Sequence, residues 1–256
     1  MAPKNLDELK KIVVQRIIQN PKQPYLLDIN TSGITNMAGL FNNIKYIEET
    51  GYNEYFNEYN VSPKNIEILD LSTWDTSNVK KMSNIFAACD QLKELNLSGW
   101  DTSHVTNMHG MFTCPRLKKL DIRHFNTAKV TDMSCMFYGC IFLEILDLSN
   151  FNTSKVTVMY EMFNNCLSLE KINLLSFDTS KVVNMSSMFY GCSRLTELDL
   201  SNFDTYAVED MDYMFNGCIN LKTITLSDKW TTRKVKDMNN MFAGCKSLIN
   251  MDFSNF

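Results

Sequence analysis

The residues best suited to chemistry are eight cysteines, three histidines and a recurring aspartate. Cys89, Cys114, Cys140, Cys166, Cys192, Cys218 and Cys245 share one spacing, and only Cys135 falls outside it. No CxxC pair occurs, so the strongest zinc-site spacing is missing. Thiols stacked one above another rarely reach the dihedral that a disulfide demands. The set therefore reads as a ladder of small buried side chains, with disulfides and metal binding as the alternatives. His104, His109 and His124 occupy three different positions of the pattern, and His104 and His109 are not at the spacing of a helical metal pair. No nucleophile–base arrangement and no Gly-rich phosphate loop can be argued. The expectation is a non-enzyme without catalytic residues, metal or cofactor.

The elements that place these residues repeat. Trp74, Trp100, Phe125, Phe151, Phe177, Phe203, Trp230 and Phe256 are 26, 25, 26, 26, 26, 27 and 26 residues apart. A fixed period of this size is the mark of a repeat array, in which each unit packs only on its neighbours. Each repeat has two parts. The first, as in Leu195-x-x-Leu198-x-Leu200, alternates apolar and polar residues and predicts a short strand that pairs in parallel with its equivalents. In the second, Met211, Met214, Phe215 and Cys218 fall at the spacing of one helix face and predict a short helix. Asn107, Asp132, Asn184, Asp210 and Asp237 stand where its N-cap would be, and Gly139, Gly191, Gly217 and Gly244 where its C-cap would be. Asp-Thr or Asn-Thr between the parts suits an Asx-type turn.

Three regions follow. Residues 1–25 predict a capping helix: Asn5 as N-cap, Asp7 and Glu8 in the first turn, and Leu6, Leu9, Val13 and Ile17 on one face. Residues 26–65 hold a shortened first repeat and a Tyr-rich insertion that includes Tyr52, Tyr55 and Tyr59 among glutamates. Residues 66–256 are the regular repeats, the last incomplete. The fold class expected is an α/β repeat solenoid of leucine-rich-repeat type, with short parallel strands stacked beside short helices.

Net charge is −4, with Lys and Arg spread along the chain, which argues against a nucleic-acid partner. No apolar window is long enough to insert in a bilayer, and no signal peptide is visible. The outward strand column reads Asp70, Asn96, Asp121, Asp147, Asn173, Asp199, Thr225 and Asp252, flanked by Glu94, Lys119, Arg123, Ile145, Lys171, Glu197 and Leu175. Such a face serves as a recognition surface in many repeat proteins. Asp121, Arg123, Asp147, Lys171 and Asp199 are the candidate partner-binding residues there, with Tyr52, Tyr55 and Tyr59 in the insertion. The competing reading is a solvated strand face and an insertion that seals the first repeat.

The string LDLSNFDTSKVTNMSxMFxGCxxL, assembled from these repeats, resembles the repeat of the BspA-like leucine-rich-repeat surface proteins of bacteria and some protozoa. The likeness runs in register over residues 66–256 and weakly over 26–41. It implies a leucine-rich-repeat solenoid at the cell surface or secreted, adhering to host matrix or cell-surface proteins. The missing signal peptide leaves a cytoplasmic location as the alternative. A structural spacer within a longer surface protein is the alternative role.

Overall fold

In the computed structural model, residues 1–42, 63–87 and 89–249 are described. The insertion residues Tyr52, Tyr55 and Tyr59 lie outside them, as does Asp252.

The chain opens with helix α1, Leu6–Gln19. The Asn5 side chain accepts the Glu8 N–H at 2.9 Å, and Glu8 in turn accepts the Lys4 N–H. One orphan amide of the first turn is thereby satisfied, as the sequence predicts. Leu9, Val13, Val14 and Ile17 are buried on its inner face.

Beyond the cap, the described residues contain six short strands: β1 (Ile68–Asp70), β2 (Glu94–Asn96), β3 (Ile145–Asp147), β4 (Lys171–Asn173), β5 (Glu197–Leu200) and β6 (Thr223–Leu226). They pair in parallel as β1–β2, β3–β4 and β5–β6, each residue facing its equivalent one repeat on, such as Leu69 and Leu95. The leucine strand is therefore interrupted rather than continuous.

The uninterrupted ladder lies elsewhere. Parallel bridges link Asn36, Lys81, Asn107, Asp132, Val158, Asn184, Asp210 and Asp237 in turn. In one repeat the N–H groups of Met108, Gly110 and Phe112 donate to the carbonyls of Asp132, Ser134 and Met136 in the next. An α-helix would send those amides back within its own repeat. The short helices expected beside the strands are absent from the described residues, where α1 is the only α-helix.

The misreading has a definite cause. Each Met-x-x-Met and Phe-x-x-Cys segment is a tight turn closed by an N–H of the fourth residue, as in Met136 to Met133 and Cys140 to Phe137. The third residue of these two is left-handed, Cys135 at φ 56° and Gly139 at φ 69°. Two such turns in succession bring residues i, i+3, i+4 and i+7 to the same side, which is the helix pattern, yet the backbone leaves the helical region halfway through each turn. The supposed N-caps close Asx turns instead: the side-chain Oδ1 of Asn107, Asp132, Asn184, Asp210 and Asp237 accepts the N–H two residues on.

The inward columns pack as the periodicity requires. The Met, Phe, Val and Leu columns are buried along most of the described repeats, and so are Cys89, Cys114, Cys140, Cys166, Cys192 and Cys218, while Val235, Phe242 and Leu248 are half-buried and Met238 is 48% exposed. Phe41, Phe86, Phe112, Phe137, Phe163, Phe189, Phe215 and Phe242 form one continuous stack with ring centroids 5.4–5.9 Å apart. That spacing lies in the favourable range for aromatic pairs. The thiols are free, and those of Cys140, Cys166, Cys192, Cys218 and Cys245 each donate to the carbonyl of the Phe in the preceding repeat at 2.8–3.2 Å. Burial pushes the Cys140 and Cys192 thiols up to about 12. They are core, and the thiolate a nucleophile or metal ligand would need is disfavoured.

Candidate functional site

Parallel pairing turns every second strand side chain to solvent. Glu94, Asn96, Ile145, Asp147, Lys171, Asn173, Glu197 and Asp199 are exposed, while Leu146 and Leu198 between them are buried. The acidic column has a local duty that spacing did not reveal. The Oδ1 atoms of Asp70, Asn96, Asp121, Asp147, Asn173 and Asp199 each accept the N–H two residues on. The column is mostly Asp or Asn because those side chains close this turn after the strand most strongly, with Thr225 the exception.

Arg123 grips Asp121 with two bonds, Nε to Oδ1 at 2.9 Å and Nη2 to Oδ2 at 2.8 Å. Those bonds hold the Asp121 carboxyl down at about 2. Both side chains stay about two-thirds exposed, so the pair contributes little to stability and instead fixes the direction of both groups. Asp147 is lowered by the Ser149 hydrogen bonds first and by the Arg123 charge after them.

Asp121, Arg123 and Asp147 share one open concavity of about 1090 Å³ that crosses three consecutive repeats. Lys171 and Asp199 stand on the same strand face and do not line it. Its apolar lining is Leu95, Leu120, Phe142 and Ile145, with Ile145 65% and Phe142 44% exposed. Arg116, Lys118 and Lys119 supply cationic edges.

The concavity coincides with the short repeat. Phe86 to Cys89 and Phe137 to Cys140 contain two intervening residues, whereas Phe112 to Cys114 contains only Thr113. The second left-handed turn of that repeat is therefore lost, and the Phe112 carbonyl accepts the Cys114 N–H directly at 2.7 Å. The stretch Lys119–Asp121, equivalent to β2 and β3, forms no strand and pairs with neither. Strands β4 and β5 are also not paired, but they remain packed side by side. Arg116, Lys118, Leu120 and Phe142 escaped the sequence reading, although the single 25-residue interval among the aromatics marks their place.

Residues 50–170 and 142–256 match the family described as Mycoplasma protein of unknown function, DUF285. The chain belongs to this family. The two matches overlap and together take in the concavity and every described strand. No curated protein and no solved structure matches the chain. Membership of DUF285 is thus compatible with the repeat fold and carries no activity.

One further cluster joins residues that sequence spacing kept apart. The buried Ser134 hydroxyl donates to Asp132 Oδ1, the His109 Nδ1 lies 2.8 Å from Ser134 Oγ, and Asn107 Nδ2 reaches Asp132 Oδ2 at 3.2 Å. With its proton on the carboxylate, the serine oxygen takes the His109 hydrogen as an acceptor. The order runs Asp, Ser, His, the reverse of a serine activated by a histidine base. It ties two repeats together. Among the described residues no group of three or more His, Cys, Asp or Glu could hold a metal ion, and no helix is long and apolar enough to cross a membrane.

Proposed function

We infer that this chain is a non-catalytic protein–protein interaction module, a leucine-rich-repeat-like solenoid of the BspA kind. It binds another protein through its exposed strand face, and adhesion to a matrix or cell-surface protein is the role that the repeat motif supports. The observation that carries this reading is the concavity at the short repeat. Phe142 and Ile145 are apolar side chains turned to solvent beside the half-buried Leu95 and Leu120, and the four are rimmed by charges of both signs. Exposed apolar patches inside a polar rim are typical of interaction surfaces. Buried columns consume the Met, Phe, Thr and Cys residues, so the variable outward positions are what remains for recognition.

Binding of the folded chain to a panel of immobilised matrix proteins tests it. Wild type is compared with a triple variant, Asp121→Asn, Asp147→Asn and Asp199→Asn. Asn already fills this column at Asn96 and Asn173 and keeps the turn hydrogen bond there, so the variant removes charge without unfolding the strand ends. Saturable binding that weakens in the variant agrees with the reading. Saturable binding indifferent to these changes moves recognition off the strand face, and the absence of any binding counts against the role.

A further inference from the structure

We propose that the turn-bearing side of the repeats, from Tyr138 to Tyr213, is a second docking surface that takes a Lys- or Arg-rich segment of another protein. This surface is separate from the strand face and does not depend on it.

Charge on this side is of one sign. Segments 107–114, 132–140, 158–166, 184–192, 210–218 and 237–245 carry Asp132, Glu161, Asp210, Asp212 and Asp237 and contain no Lys or Arg. None of the five carboxylates is in an ion pair among the described residues. Asp132 is held by Asn107 and Ser134, Glu161 by the Cys135 thiol and Asn164 Nδ2, both at 3.4 Å, and Asp210 by Asn184 Nδ2 at 3.1 Å. His109, the one basic side chain in these segments, is bonded to Ser134. Lys236, beside Asp237, is taken by Glu209 at 2.6 Å. Lys129, Lys155 and Lys181 stand at the preceding corner, three residues ahead of the ladder, and Lys181 donates to the Ser154 carbonyl. The local field is accordingly negative. Burial and then the Glu161 charge raise the Cys135 thiol, and burial and then Asp237 and Asp210 raise the Asp212 carboxyl.

Four tyrosines cross the same segments. Tyr138 and Tyr213 are 40% and 36% exposed, Tyr160 and Tyr190 are half-buried, and Tyr190 meets Tyr213 edge to face at 6.4 Å. Asn164 stands in the row between Tyr138 and Tyr190: the Gly139 N–H donates to its carbonyl, and the Asn165 N–H donates to that of Tyr190. Asn164 is only 5% exposed, its Nδ2 faces Glu161, and its side-chain oxygen has no hydrogen-bond partner. A buried acceptor without a donor is costly, and an N–H group that reaches between the rings relieves it. Phenol rings beside carboxylates attract ammonium and guanidinium groups. Lys234 already lies 4.2 Å over the Tyr206 ring in this chain. Glu161 and Asp212 are two repeats apart, about 10 Å at the usual strand spacing, which an extended segment covers in about three residues.

The test is fluorescence anisotropy of a labelled 12-residue peptide with Arg at every third position, titrated with the full chain at physiological ionic strength. Four proteins are compared: wild type, Glu161→Gln/Asp212→Asn, Tyr138→Ala/Tyr213→Asn, and the strand-face triple variant described above. Ala87 and Ala243 already fill the position of Tyr138, and Asn84 and Asn240 that of Tyr213, so the ring variant keeps residues the turns accept. Expected is saturable binding that falls about tenfold in the carboxylate variant and in the ring variant and is unchanged in the strand-face variant. Equal weakening in the strand-face variant shows diffuse attraction to any acid and overturns the surface. Weakening by the carboxylate variant alone, or by neither turn-side variant, overturns it too. Displacement of the peptide by spermine at equal charge concentration shows a site for free polycations and overturns the choice of a protein segment. The absence of saturable binding overturns the proposal, whereas the strand-face role is decided separately by the matrix-protein panel.

Discussion

Thr153 Oγ1 donates to the carbonyl of Asp178 at 2.8 Å and accepts the N–H of the same Asp178 at 2.8 Å. One buried hydroxyl thus satisfies both backbone groups of a residue in the next repeat. Thr102 with Asn126, Thr127 with Asn152, Thr179 with Asp204 and Thr205 with Thr231 do the same. The threonine column is a row of staples between repeats, and valine, equal in shape, cannot replace it.

Thr153→Val should therefore cost about 2 kcal/mol or more, because it strands two buried backbone groups and leaves the volume unchanged. Urea unfolding of the variant against wild type measures it, with Thr153→Ser falling between them. An unchanged midpoint for Thr153→Val would show that water replaces the staple at no cost.

The turn geometry predicts the sign of a glycine substitution. Gly139 and Gly191 have φ of 69° and 70°. Were these segments helical, Gly→Ala would stabilise them. In a left-handed turn it destabilises instead, by about 1 kcal/mol at Gly139, where an added Cβ meets nothing within 4 Å. At Gly191 the same Cβ lies 2.6 Å from Asn165 Oδ1, so Gly191→Ala should be the worse of the two until Asn165 moves. A rise in melting temperature for either variant would contradict the turn assignment.

The inward and outward assignment of side chains was legible in the sequence, and so was parallel pairing, because a fixed period puts equivalent residues in register. Met133, Met136, Phe137 and Cys140 are buried as their spacing demands. The conformation between them was not legible. A pair of left-handed turns and a helix produce the same apolar pattern, and Cys135, Glu161, Ser187 and Tyr213 give no glycine-like signal at the left-handed position. The concavity was half legible: Asp121, Arg123 and Asp147 were singled out, but the lost residue after Phe112 acts through pairing with neighbours, which no local pattern records.

Alkaline pH should destabilise the protein through its thiols. Burial holds Cys140 and Cys192 at about 12 and raises Cys114 and Cys166 well above their ordinary value. An unfolded thiol loses its proton near pH 8.5. Between those limits the unfolded chain binds fewer protons than the folded one, so stability is full below about pH 8 and falls as pH rises. The slope is about 1.4 kcal/mol per pH unit for each such thiol. Urea midpoints at pH 7 and pH 10 read the fall, and replacing Cys140 and Cys192 by Ala should reduce it. Equal pH dependence with and without the two thiols would contradict their burial as the cause.

Amide hydrogen exchange on the full chain, with and without a saturating matrix protein that binds it, tests the recognition surface most directly. The account predicts slowed exchange at residues 116–123 and 142–147 around the concavity, with the buried turns from Met159 to Cys166 unchanged. Slowed exchange confined to the opposite, turn-bearing side of the repeats would contradict it.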